Sequence, residues 1–478
     1  MSMTDLTSLA PYIIMTAASV MVMLTIAFYR NHRLTMFLTL AGFALSAASI
    51  SFSASGAPRE VTALLVIDRY AFFYMLLVLA AGAAIAALSY AYLERHDGHH
   101  EEFYLLVVLA SLGCMVLAAA SHFASFFLGI EILSVSLYAM AGYLRHSDRS
   151  VEAGVKYLIL AAVSSAFILF GMALIYAETG SLMFQETASR VASTAGYGLP
   201  LSAGLVLILV GLGFKLAVVP FHLWTPDVYE GAPAPVTAFI ATASKGAVFA
   251  LVLRYFIRID IHANSALFLI ISIIAVASMF AGNLLALLQT NVKRILAYSS
   301  ISHLGYLLVT ALASGPHAVA AAAFYLTAYF ITTLGAFGVV TVLSRPERDA
   351  DRMDDYRGLV WRRPWLAGVF TAMLFSLAGI PLTAGFVGKF YVVAAGVGSA
   401  LWLAVIALAI NSVIGLFYYL RIVVALFSPS GEGTPAAPET SSSGNAVLAV
   451  LTVLLVFFGV YPGPLIEIIN STIQSLIY

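Results

Sequence analysis

PLSAGLVLILVGLGFKLAVVPFHLWTPDVYEGAPAPVTAFIATASKGAVFALVLRYF, residues 200–256, decides the fold. It holds two apolar runs, near 200–219 and 234–256, each long enough to cross a hydrocarbon core that needs about 20 residues per helix. Each run carries one lysine, Lys215 or Lys245, in surroundings that should exclude a charge. Pro220 and Pro226 follow Lys215 closely, and proline removes a backbone hydrogen bond that only protein or water can replace inside a membrane. Gly211-Leu-Gly213 lies inside the first run and is not followed by the rest of a dinucleotide-binding fingerprint. The stretch reads as a membrane helix broken beside a charge.

Working outward, windows of the same size predict spans near 11–29, 34–54, 67–92, 103–120, 122–143, 152–177, 200–219, 234–256, 265–287, 292–313, 317–343, 365–391, 399–426 and 445–462. The expected fold class is all-α, a single polytopic membrane domain of about 14 transmembrane helices. Composition agrees. Of 478 residues, 62% are hydrophobic and 10% charged, and the mean hydropathy is +0.99. A soluble domain carries roughly 25% charged residues. The 31 Phe and 24 Tyr suit interfacial belts. Zero net charge gives no electrostatic case for nucleic acid or an acidic substrate. The single cysteine, Cys114, sits in an apolar run, so neither an internal disulfide nor a cysteine-ligated redox cluster is expected. The opening MSMTDLTSLAP has no basic region, so the first apolar run is expected to be a permanent span.

The basic residues orient the chain. Odd-numbered loops and their helix ends hold Arg30, Arg33, Arg95, Arg145, Arg149, Lys293, Arg294, Arg345, Arg348, Arg352, Arg357, Arg362, Arg363 and Arg421. Even-numbered ones hold only Arg59, Arg69, Arg190, Arg254 and Arg258. Odd loops are therefore expected in the cytoplasm and both termini outside. Two polar pieces stand out: a charge-dense cytoplasmic connector at 344–364, able to dock a partner or lie at the interface, and a Ser/Gly/Pro-rich flexible loop at 428–444.

The remaining basic residues, Lys156, Lys215, Lys245 and Lys389, lie within spans, as does Glu131 in SFFLGIEILSVSLY. A charge at mid-membrane costs roughly 2.5–3.5 kcal/mol on insertion scales, so each needs a reason. One acid with several lysines is the composition of a proton relay, because burial lowers a lysine's proton affinity and a nearby carboxylate restores it. A static ion pair is the competing explanation, but one carboxylate cannot serve three deep lysines. Lys156, near the cytoplasmic end of its span, can instead snorkel to the headgroups. Lys389 follows Pro381, Gly385 and Gly388 in SLAGIPLTAGFVGKFY, a second break beside a lysine. Spans four to eight (103–256) and nine to thirteen (265–426) then form two five-helix sets with the broken helix fourth in each. Five is odd, so the second set is inverted relative to the first. His222, His303, Tyr298 and Lys293 are candidates to bridge the gaps, although a lone histidine on an apolar face is as readily a structural residue. The tract from Glu94 to Glu102, with its histidines, has metal-ligand composition but reads as a solvated loop, and no metal is expected.

PFHLWTPDVYEGAPAPVTAFIATASKGAVFA (220–250), NVKRILAYSSISHLGY (291–306) and GIPLTAGFVGKFY (379–391) resemble the antiporter-like membrane subunits of respiratory complex I. The resemblance spans essentially the whole chain. It implies Glu131 and Lys215 as the acid–lysine pair of a first half-channel, Lys245 as the linking lysine and Lys389 as the terminal lysine of a second. Lys389 stands where some relatives carry glutamate, and the chain stops short of the long lateral helix of others. The resemblance further implies a bacterial inner membrane, partners among neighbouring antiporter-like and small membrane subunits, and no cofactor here, NADH and quinone being bound by other subunits. Proton entry near Lys215 and entry near Lys293 and Lys245 both remain open. A cation/proton antiporter would need more mid-span oxygen ligands than one carboxylate. A scaffold would need the lysines only as locks, and a small-molecule permease would need a substrate pocket that nothing outlines.

Overall fold

The computed structural model describes residues 3–54, 57–193, 198–256, 262, 265–313, 315–429 and 441–477. Arg258 and most of the 428–444 loop lie outside the described residues. After a short α1 (Met3–Ser8) come α2 (Ala10–Phe28), α3 (His32–Ser53) and α4 (Arg69–Glu94), with a minimal antiparallel hairpin, Arg59–Glu60 against Val66–Ile67, before α4. There follow α5 (Glu101–Ala119), α6 (Phe123–Ala141), α7 (Asp148–Thr179), a short α8 (Phe184–Ser193), α9 (Leu199–Leu216), α10 (Trp224–Gly231), α11 (Ala234–Phe239) and α12 (Lys245–Phe256). The second half holds α13 (Ser265–Leu287), α14 (Val292–Leu312), α15 (Pro316–Leu343), two single turns α16 (Met353–Tyr356) and α17 (Leu359–Arg362), then α18 (Pro364–Ala378), α19 (Ala384–Gly398), α20 (Trp402–Phe427), α21 (Ser442–Val460) and α22 (Gly463–Ile477).

Among the described residues, thirteen helices are long and apolar enough to cross a membrane, α11 and α12 counting as one. The expected span at 365–391 is instead two shorter apolar helices, α18 and α19, meeting end to end. Gly379 at φ +87° ends α18 in the left-handed region that suits glycine, and the Thr383 side chain caps α19. The seventh span breaks likewise, α9 stopping at Leu216 and α10 starting at Trp224. A third irregularity was not foreseen: Ile240–Ser244 form a π turn between α11 and α12, directly before Lys245. The terminal α22 was also missed.

Polar caps start many of the crossings, since the first amides of a helix have no partner of their own. Asn31, Asp68, Ser147 and Asn291 serve α3, α4, α7 and α14. Where α7 and α9 cross, a side chain at Gly171 would meet the Gly204 carbonyl at 2.7 Å, so only glycine permits that approach. Burial grades inward. The hydropathy windows of α15 and of α11–α12 are 100% buried and that of α14 is 94% buried, against 33% for α2, α3 and α13. The helices carrying Lys245 and His303 are thus the centre of the bundle.

One charge read as a loop residue belongs to that interior. Arg254 is 1% exposed and bidentate to Asp68, 2.8 Å on each arm, with its guanidinium 4.7 Å from the Tyr70 ring centroid. It ties α12 to the start of α4. The connector at 344–364 folds back on the bundle. Lys293 donates to Glu230 O (3.0 Å), Ala232 O (2.6 Å) and Asp349 Oδ2 (2.6 Å), and Tyr92 donates to the other oxygen of Asp349 at 2.9 Å. Within the connector, the Arg348 guanidinium donates to both oxygens of Asp355, and these bonds hold it above its ordinary pKa. Three acceptors use all three ammonium protons of Lys293. Lys293→Met is therefore expected to destabilise the connector by about 1–3 kcal/mol, read as faster proteolysis within 344–364.

Candidate functional site

Glu131 and Ser134 are three residues apart on one face of α6. Ser165 of α7 donates to Glu131 Oε1 at 2.5 Å, and Lys215 Nζ donates to Ser134 Oγ at 2.5 Å. Glu131 forms no salt bridge among the described residues. The expected acid–lysine pair is therefore joined through α6, its two members each held by a serine hydroxyl. Lys215 is 4% exposed and occupies the last turn of α9, where the helix dipole favours a cation.

Lys245, 1% exposed, follows the π turn and donates to Ser300 Oγ at 2.7 Å, which in turn bonds the Tyr329 hydroxyl at 2.6 Å. Its ammonium lies 5.4 Å from the Tyr229 ring centroid. One turn along α14, His303 joins Tyr325 OH through Nδ1 at 2.6 Å and Tyr419 OH through Nε2 at 3.2 Å. Tyr419 bonds Ser299 in turn. His303 lies within electrostatic reach of both Lys245 and Lys389. Lys389, 8% exposed, projects from α19 across the break and donates 2.8 Å to Ala378 O, the last residue of α18. It sits 5.3 Å from the Tyr306 ring centroid. Tyr306 leads to a buried amide hub, Asn283 Nδ2 lying 3.1 Å from its hydroxyl, 2.8 Å from Ser302 Oγ and 3.0 Å from Asn411 Oδ1.

The other candidates sort differently. Lys156 is 42% exposed and bridges Glu152 at 2.7 Å and Asp227 at 3.1 Å, so it belongs to a surface ion-pair group with Arg294 and Glu230. Lys293 is the connector's clamp. Tyr298 is half-buried, and its hydroxyl makes no hydrogen bond to the row among the described residues. His222, buried in the first break, has ring nitrogens with no hydrogen bond to another side chain, as does the hydroxyl of buried Thr225. The five lysines thus divide: those at 156 and 293 meet carboxylates, while those at 215, 245 and 389 meet hydroxyls or a carbonyl beside an irregular turn. Sequence reading missed Ser134, Ser165, Ser300, Tyr325, Tyr329, Tyr419, Asn283 and Asn411. A helical-spacing test would have found Ser134, three residues from Glu131 on the same helix; the rest, Ser165 included, depend on packing. No group of three or more metal-ligating side chains is assembled among the described residues.

Residues 120–415 match the family model described as NADH:quinone oxidoreductase/Mrp antiporter, transmembrane. NADH-quinone oxidoreductase subunit N of Ectopseudomonas mendocina (strain ymp) is 50% identical over 476 residues, covering 98% of this chain and 96% of the relative. Its counterpart in Nitrosospira multiformis is 52% identical over 492 residues, with the same coverage. A chain of respiratory complex I from Thermus thermophilus, solved with bound aureothin, superposes with a TM-score of 0.83 at 32% identity, over 97% of this chain and 100% of that one. With the break positions and the buried lysines already in view, these likenesses show that the chain belongs to the NADH:quinone oxidoreductase/Mrp antiporter membrane family, on its subunit N branch.

Proposed function

We propose that this chain is a proton-translocating membrane subunit of a bacterial NADH-quinone oxidoreductase, with its termini on the periplasmic side of the inner membrane. Electron transfer, NADH and quinone belong to partner subunits, and this chain contributes the proton path. The path runs Glu131/Lys215, then Lys245, His303 and Lys389, through two inverted five-helix repeats at 103–256 and 265–426. One observation carries the reading: three lysines at most 8% exposed, each beside a helix irregularity, and none bonded to a carboxylate. An ammonium buried with no carboxylate bonded to it holds its proton loosely, which a proton carrier requires and a structural lock does not. Two further features support continuity. His303 lies between two tyrosine hydroxyls, one of which bonds onward to Ser299. In the chain between Lys215 and Lys245, the ring of His222, which bonds no other side chain, and the unpartnered Thr225 hydroxyl are of the kind that ordered water meets. Quinone chemistry elsewhere would drive the path by shifting a bistable charge arrangement at Glu131 and Lys215.

The test is Lys215→Ala in the whole complex, with proton pumping and quinone reduction measured on membranes and assembly checked on a native gel. Loss of both activities with assembly intact is expected. Unchanged pumping would sink the relay.

A further inference from the structure

α10 (Trp224–Gly231) is only 8 residues long. An isolated helix shorter than about 12 residues is marginal, so neighbours must hold this one. Its first residue faces the break: Trp224 Nε1 donates at 3.1 Å to Phe214 O, the carbonyl just before Lys215, and its ring stacks on Tyr157 at 4.8 Å. Its middle faces the next lysine, the Tyr229 ring centroid lying 5.4 Å from Lys245 Nζ. Its two acids are gripped from both halves of the chain. Asp227 meets Lys156 of α7 at 3.1 Å and Arg294 of α14 at 2.9 Å. The same nitrogen of Arg294 reaches Glu230 at 2.9 Å, while Arg149 of α7 stands 3.6 Å from the other oxygen of Glu230. Gln289 steadies the Arg294 guanidinium, accepting from its Nε at 3.1 Å.

We propose that Asp227 and Glu230 are positioning residues that clamp α10 between the two halves and so set the Lys215 and Lys245 sites relative to each other. The proposal rests on the relay reading above and adds to it a part that carries no proton. With the clamp closed, α10 keeps its bond to the Phe214 carbonyl and its Tyr229 ring at Lys245 in one fixed frame. With the clamp open, only apolar packing and the Trp224 bond hold so short a helix, and arrangements that do not pass protons become populated. A lone ion pair this exposed is worth little. The hold comes from the arrangement, one guanidinium of α14 meeting both acids while a cation of α7 meets each from the other side.

Complexes carrying Lys156→Cys together with Asp227→Cys are to be compared with the parent, before and after a short bifunctional thiol reagent or its one-headed analogue. The two positions are 42% and 40% exposed, and the native Cys114 is buried. Without reagent, proton pumping per assembled complex is expected to fall about tenfold, because only the held fraction of the population transports. A bridge between the cysteines should restore most of it, and the one-headed analogue should not. Restoration needs no carboxylate, so it separates a positioning part from a proton-carrying one. Parental pumping by the unbridged variant overturns the clamp. So does pumping that stays low once bridging is complete, or failure of the two cysteines to bridge at all. Should the double variant not assemble, Asp227→Asn keeps the side chain's shape and is expected to lose about threefold, the scale of one exposed pair. Parental pumping by that variant overturns the clamp as well. If Lys215→Ala has abolished pumping in the same membranes, these failures remove the clamp alone and leave the relay standing. If Lys215→Ala pumps normally, both fall together.

Discussion

Lys389→Met complexes are expected to assemble normally and to lose about a hundredfold of their proton pumping, the scale of one positioned proton-transfer group. Methionine nearly matches lysine in volume, so packing against Tyr306 and the break survives. What disappears is the ammonium between Ala378 O and the Tyr306 ring. Leaving that carbonyl without its donor costs about 1–3 kcal/mol, which a wholly buried bundle can absorb. A scaffold would keep pumping after this exchange, because only the charge has gone. Dye-reported acidification of inverted vesicles, normalised to quinone reduction and to the native-gel band, separates the two. Pumping at parental rates would refute a role for Lys389 in transport.

Arg254→Met should act in the opposite manner, destroying the assembly rather than the transport step. Asp68 would then hold an uncompensated charge at 2% exposure, and breaking such a pair costs about 3–5 kcal/mol. The assembled complex should largely vanish from native gels. Asp68→Asn added to Arg254→Met should restore much of it. Asparagine removes the stranded charge, and its side-chain oxygen can still cap α4, where Asp68 Oδ1 accepts from Ala71 N at 2.7 Å. If the single variant assembles as well as the parent, the pair carries little of the fold's stability.

Lys215, Lys245 and Lys389 were legible because hydropathy alone marks a charge in an apolar run, and both breaks because proline and glycine flank them. The partners were not. Ser300 meets Lys245 only once α12 packs on α14, and nothing in a serine's identity announces that it will face a lysine 55 residues away. Glu131 and Lys215 were named as an acid–lysine pair without the serine hydroxyl that each one meets. Lys156, read as able to snorkel, and Lys293, read as a bridging candidate at a loop end, were named beside the deep lysines. What separates them is the carboxylates of Asp227 and Asp349, brought in from α10 and the connector. Arg254 was misread because a charge near a span's end resembles a loop residue until its partner, the cap of a distant helix, is seen.

The π turn at Ile240–Ser244 gives the innermost crossing a property that an unbroken α-helix lacks. Such a turn holds one residue more than the regular repeat, and so shifts the face that every later residue presents by about 100°, the angular step of the helix. Lys245 is the next residue after it. The aim of its ammonium at Ser300 is thus set by one surplus residue, and a regular helix through the same positions would turn that charge toward another side of the bundle.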